Sequence, residues 1–95
     1  MLIRVTNATD SESTVTLTLT RGGTVVFDDR VTVASGARTT VDPGIDQRGD
    51  YTLTVETAGG ATGRLPFDVG EYERRLGSDL IVEIGAETVR VLIEE

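Results

Sequence analysis

The chain has 95 residues, 16 acidic and 9 basic, giving a formal charge of −7, which leaves room for one domain around one modest core. All nine basic residues are Arg, and Lys, His, Cys and Trp are absent. Zinc sites built on nitrogen or sulfur, Ser-His and Cys-His nucleophiles, disulfides and Schiff bases are therefore excluded, and the surplus negative charge repels nucleic acid and anionic lipid.

Thr, Val and Ile supply 32 of the 95 residues. Side chains branched at Cβ suit a pleated surface better than a helix. Residues 2–6 predict a first strand, closed by the turn formers Asn7 to Ser11. Residues 14–20, TVTLTLT, alternate strictly, with Val15, Leu17 and Leu19 on one face and four threonines on the other. Arg21-Gly22-Gly23 predicts a hairpin into a third strand over residues 24–27. Asp28-Asp29 then reads as an interruption before Val31-Thr32-Val33, and Ser35-Gly36 as the next turn.

Residues 38–41 predict a short strand, and residues 42–49 a loop by composition. In residues 51–57, Tyr51, Leu53 and Val55 alternate with Thr52, Thr54 and Glu56. Ala58-Gly59-Gly60 turns the chain into a partner strand over residues 64–69, where Pro66 predicts an edge or a bulge. Residues 70–79 are charged, with one helical turn expected at 71–76, where Arg74-Arg75 read as charge partners of Glu71 and Glu73 and not as a phosphate patch. Residues 80–84 and 89–93 form a last hairpin. Eight or nine short strands, spaced by turns, predict an all-β, two-layer antiparallel sandwich as a single domain over residues 1–95.

Residues 7–69 resemble immunoglobulin-like sandwich modules, including the fibronectin-type and CARDB-like domains common in archaeal surface proteins. TVTLTLT, residues 22–27, residues 31–36 and residues 49–55 carry the resemblance. Gly49-x-Tyr51-x-Leu53 looks like the tyrosine corner of that fold, and the resemblance implies a Tyr51 hydroxyl bonded to backbone a few residues upstream. The Cys pair and core Trp of antibody domains are missing, so an antibody-type domain is not implied. Residues 80–95 are expected to be an extra C-terminal hairpin outside this core. Acid excess with Arg in place of all Lys resembles proteins of organisms that keep molar salt in the cytoplasm, such as haloarchaea and their viruses. At about 1 M salt the screening length is roughly 3 Å, so repulsion among carboxylates costs little.

Candidate sites are few. Asp42, Asp46 and Asp50 are the candidates for holding a cation, though the alternating ligand pattern of a calcium loop is absent. Arg48-Gly49-Asp50 spells an adhesive tripeptide but leads directly into the Tyr51 strand, where Gly49 serves turn geometry. Asn7-Ala8-Thr9 is a glycosylation sequon that equally reads as a strand end and turn. No residue stands out as catalytic and no cofactor is implied. Neither a signal peptide nor a run long enough to cross a membrane appears. This predicts a protein that is cytoplasmic, assembled from the cytoplasm into a larger particle, or cut from an exported protein.

The expected function is non-catalytic: a structural, assembly or protein–protein interaction module adapted to high salt, in one form a virion component (capsid decoration, minor capsid or tail). Protein partners or self-assembly are expected, without nucleic acid or membrane insertion. Val89, Val91 and Ile93 of the last strand are the candidate interaction edge. The alternative is a binding domain of a larger cell-surface protein, using the loops 7–13, 42–49 and 58–63 to hold a protein, a glycan or Ca2+.

Overall fold

The structure, a computed structural model, describes residues 2–45, 47–69 and 79–94. Eight strands appear among them: β1 (Ile3–Asn7), β2 (Ser13–Arg21), β3 (Thr24–Val33), β4 (Arg38–Val41), β5 (Gly49–Thr57), β6 (Thr62–Val69), β7 (Asp79–Ile84) and β8 (Val89–Glu94). They form two four-stranded sheets, ordered β4-β1-β7-β8 and β3-β2-β5-β6. The helical turn expected at 71–76, with Arg74 and Arg75, lies outside the described residues, as does Asp46.

Period-two alternation builds the core. Val15, Leu17 and Leu19 of β2 register against Thr57, Val55 and Leu53 of β5, and all five apolar side chains are fully buried, with Tyr51 nearly so. Ile3 and Val5 of β1 and Leu80, Val82 and Ile84 of β7 supply the facing layer. The threonines of β2 take the opposite face, beside Thr32, Thr52 and Thr54. Between β2 and β3, Gly22 and Gly23 have φ of 57° and 86°, as a two-residue type I′ hairpin loop requires.

Three expectations are corrected. Asp28-Asp29 does not split the third strand, and β3 runs unbroken for ten residues. It lies at a sheet edge, so Asp29, although opposite buried Leu17, keeps its carboxylate in solvent. The irregularity falls earlier, where Leu19 pairs with Phe27 and Thr20 with Val25, leaving Val26 as a bulge.

The sandwich is also not wholly antiparallel, because β1 pairs with β7 in parallel from Ile3–Leu80 to Asn7–Ile84. Finally, the C-terminal hairpin is no appendage. β7 lies between β1 and β8 in the first sheet and contributes three buried core residues.

Candidate functional site

Connections 8–12, 58–61 and 85–88 meet at one end of the sandwich around a groove of about 640 Å³. Thr9, Ser11 and Thr57 and the acidic residues Asp10, Glu12 and Glu87 are among the residues that line it. Asn7, fully buried, fixes this end. Its Nδ2 donates to the carbonyls of Ser11 (2.8 Å) and Val33 (2.9 Å). Its Oδ1 accepts from the backbone N–H of Thr9 (2.9 Å) and the Thr9 hydroxyl (2.6 Å). Ser35 Oγ donates to the Thr9 carbonyl at 2.6 Å, joining the 34–37 turn to the same knot. The sequon is thus inaccessible in the folded chain, because the amide that would carry a glycan spends both protons internally. A polar residue at the third inward position of β1, after Ile3 and Val5, was the available signal for this knot.

The three candidate binding loops do not form one surface. Loops 7–13 and 58–63 share the groove end, whereas 42–49 lies at the other end, beside the Gly22-Gly23 hairpin. There the Tyr51 hydroxyl donates to the Gln47 carbonyl at 2.7 Å, and its ring stacks on Phe67 with centroids 5.6 Å apart. Gly49 and Asp50 belong to β5 and Arg48 directly precedes it, so the adhesive tripeptide runs into a strand and is not a loop tip. Asp42 Oδ1 accepts from the Gly44 N–H in its own turn (2.9 Å), and Asp50 of β5 registers against Asp68 of β6 within the second sheet. Among the described residues, no three carboxylates gather to hold a metal ion.

The last strand changes the reading of its own residues. β8 is an edge, but Val89 is buried and Val91 packs inward over Gly63 of β6. The exposed large apolar side chains of β8 are Leu92 and Ile93, each 38% accessible. Of the expected set, Val89 is buried, Val91 half-buried and Ile93 exposed, and Leu92, outside that set, is equally exposed. Alternation in VRVLI already sets Leu92 beside Arg90, away from the core.

Among the described residues the four sheet edges are unequal. β6 carries Pro66, β3 carries a bulge within its exposed Val25-Val26 stretch, and β4 is only four residues long. These are recognised devices against edge pairing. β8 pairs with β7 over six residues without a bulge and contains no Pro.

A family model described as the halobacterial Ig-like domain matches residues 11–91, most of the chain. The chain belongs to the halobacterial Ig-like domain family. Neither the curated proteins nor the solved structures yielded a match. The match extends through β7 and into β8, so the hairpin is part of this halobacterial Ig-like domain, which is larger than residues 7–69. Membership of an Ig-like family points to a non-catalytic structural or interaction module. It also agrees with a composition in which Arg replaces every Lys.

Proposed function

We propose that this halobacterial Ig-like domain is a structural interaction module working in molar salt, and that it docks on other proteins through the free edge of β8. The observation carrying this reading is the contrast among edges: among the described residues β8 has neither the Pro of β6, the bulge of β3 nor the shortness of β4, and it presents Leu92 and Ile93 to solvent. An unpaired strand offers a row of backbone donors and acceptors to an incoming strand. Apolar and backbone contacts persist in molar salt, where exposed ion pairs are screened.

Light scattering in about 2–3 M KCl tests the reading through its concentration dependence. The parent is expected to gain mass as concentration rises, while the double variant Leu92→Lys/Ile93→Lys stays at 10.1 kDa with its fold intact. Mass growth that survives in the double variant would remove β8 from the reading.

The groove at the Asn7 end supports a second reading, as a loop-based binding site, because of its volume and its polar and acidic lining residues. A melting temperature raised by a soluble glycan at constant salt would favour it.

A further inference from the structure

Building on the reading of β8 as the docking edge, we propose that its partner is a second copy of this chain. In this dimer the two β8 strands run antiparallel across a two-fold axis at Leu92. The two first sheets then join into one sheet of eight strands, ordered β4-β1-β7-β8 followed by its mirror order.

The register follows from side-chain alternation. Residues opposite each other in an antiparallel pair share a face, and Val89 and Val91 already face the core. A continuous sheet must therefore oppose odd positions to odd and even to even. Within the described strand this leaves two symmetric registers with substantial overlap. An axis at Val91 would set Arg90 opposite Leu92, a charge against an apolar side chain. An axis at Leu92 sets Leu92 opposite its own copy, Val91 opposite Ile93, and Arg90 opposite position 94, which is Glu. The second register matches charge with opposite charge and apolar with apolar.

Neighbouring strands favour the same arrangement. Ile81 of β7 registers beside Leu92, so the axis would carry a strip running Ile81, Leu92, Leu92, Ile81 across the outer face. Within one copy, β7 and β8 set Asp79 opposite Glu94, two acidic residues in direct register. The second copy's Arg90 would bring a cation to that position. Here Arg90 already lies 3.7 Å from Glu83 of its own chain. A contact made by one strand buries less than the roughly 1,200 Å² of stable complexes, so the dimer is expected to be in concentration-dependent exchange.

The chain has no Cys, so Leu92→Cys places a single thiol on the axis. Directly opposed residues of an antiparallel pair have Cα atoms about 4.5–5.5 Å apart, within disulfide range. Under mild oxidation in about 2 M KCl, Leu92→Cys is expected to become a covalent dimer at least tenfold faster than Ala86→Cys, which exposes its thiol on the 85–88 turn. In about 1 M KCl, Arg90→Glu is expected to weaken the dimer severalfold in sedimentation velocity, and Arg90→Glu/Glu94→Arg to restore it.

Equal cross-linking at positions 92 and 86 overturns the two-fold register. If the parent's mass growth is still removed by Ile93→Lys in that case, β8 remains the docking edge. Association indifferent to every β8 variant overturns both the register and the edge. A parent that stays monomeric to about millimolar concentration overturns self-pairing and leaves the edge for a different protein.

Discussion

The side-chain amide of Asn7 donates to the backbone carbonyl of Val33, 2.9 Å away and 26 residues later in the chain. This bond, with those to Ser11 and Thr9, holds the ends of β1 and β3 and the connection to β2 together around one buried polar group. Removing one partner of a buried hydrogen bond leaves the other unsatisfied, which costs more than the bond itself contributes. Asn7→Ala is therefore expected to destabilise the fold by about 2–3 kcal/mol. Asn7→Asp should cost at least as much, because it turns a carboxylate oxygen toward two carbonyls. Thermal melting at fixed salt checks both, at about 4–8 °C lost per kcal/mol for a domain of this size.

Tyr51 separates a hydroxyl contribution from a ring contribution. Tyr51→Phe keeps the stack on Phe67 and loses only the 2.7 Å bond to the Gln47 carbonyl. The expected loss is on the order of 1 kcal/mol or somewhat more. Tyr51→Ala empties a nearly fully buried site and should cost about 3–5 kcal/mol. A Phe variant melting with the parent would mean that water replaces the bond without loss.

The parts of this fold legible in the sequence are those with a local cause. Val15-Leu17-Leu19 and Tyr51-Leu53-Val55 declare their faces by alternation, and Gly22-Gly23 declares its hairpin by backbone freedom. Strand order has no such mark. Nothing in residues 3–7 records that Leu80–Ile84 will lie parallel beside them, which is why the last hairpin reads as an addition. Edge position is equally silent, and it decides that Asp29 is tolerated within β3 and that Leu92, not Val89, meets solvent. The candidate site was half legible: VRVLI names the strand and its two faces, but only the sheet order says which side is open.

Gly49 has φ of 148°, and a Cβ there would lie 2.7 Å from Nε of Arg21. That Nε donates to the Arg48 carbonyl at 2.9 Å, pinning the loop that precedes β5. Gly49→Ala adds backbone strain and displaces the Arg21 side chain. A loss of about 1–3 kcal/mol is expected by denaturant or thermal unfolding. Arg21→Ala in the same background should relieve the steric part, so the double variant is expected to lose less than the sum of the single changes.

Gly63 sets how closely the two sheets approach at the β8 edge. A Cβ at this position would meet Val89 Cγ1, the Val89 carbonyl oxygen and Val91 Cγ2, each at 3.1 Å. One of those atoms is backbone, so β8 itself must shift. Gly63→Ala is expected to cost about 1 kcal/mol and Gly63→Val about 1–3 kcal/mol. Faster amide exchange confined to β7 and β8 would locate the damage at this edge, whereas uniform acceleration would place it elsewhere.

Salt dependence follows from where the charges sit. No carboxylate within residues 2–45, 47–69 and 79–93 is fully buried. Two ion pairs among them, Arg4–Asp79 at 3.5 Å and Arg90–Glu83 at 3.7 Å, lie on the outer face of the first sheet and offset little of a net −7. Unscreened, that surplus opposes compaction. Between about 0.1 M and 3 M KCl the screening length falls from roughly 10 Å to below 3 Å, removing repulsion between neighbouring carboxylates. Loss of screening also strengthens the two ion pairs at low salt, but surface pairs contribute at most about 1 kcal/mol each. Repulsion is thus expected to dominate, and the melting temperature should fall as KCl is lowered across this range. Replacing three exposed acids, Asp28→Asn, Glu56→Gln and Glu87→Gln, should flatten the dependence while leaving the 3 M value nearly unchanged. A melting temperature equal at 0.1 M and 3 M KCl in the parent would show that its negative charge exerts no net strain on the fold.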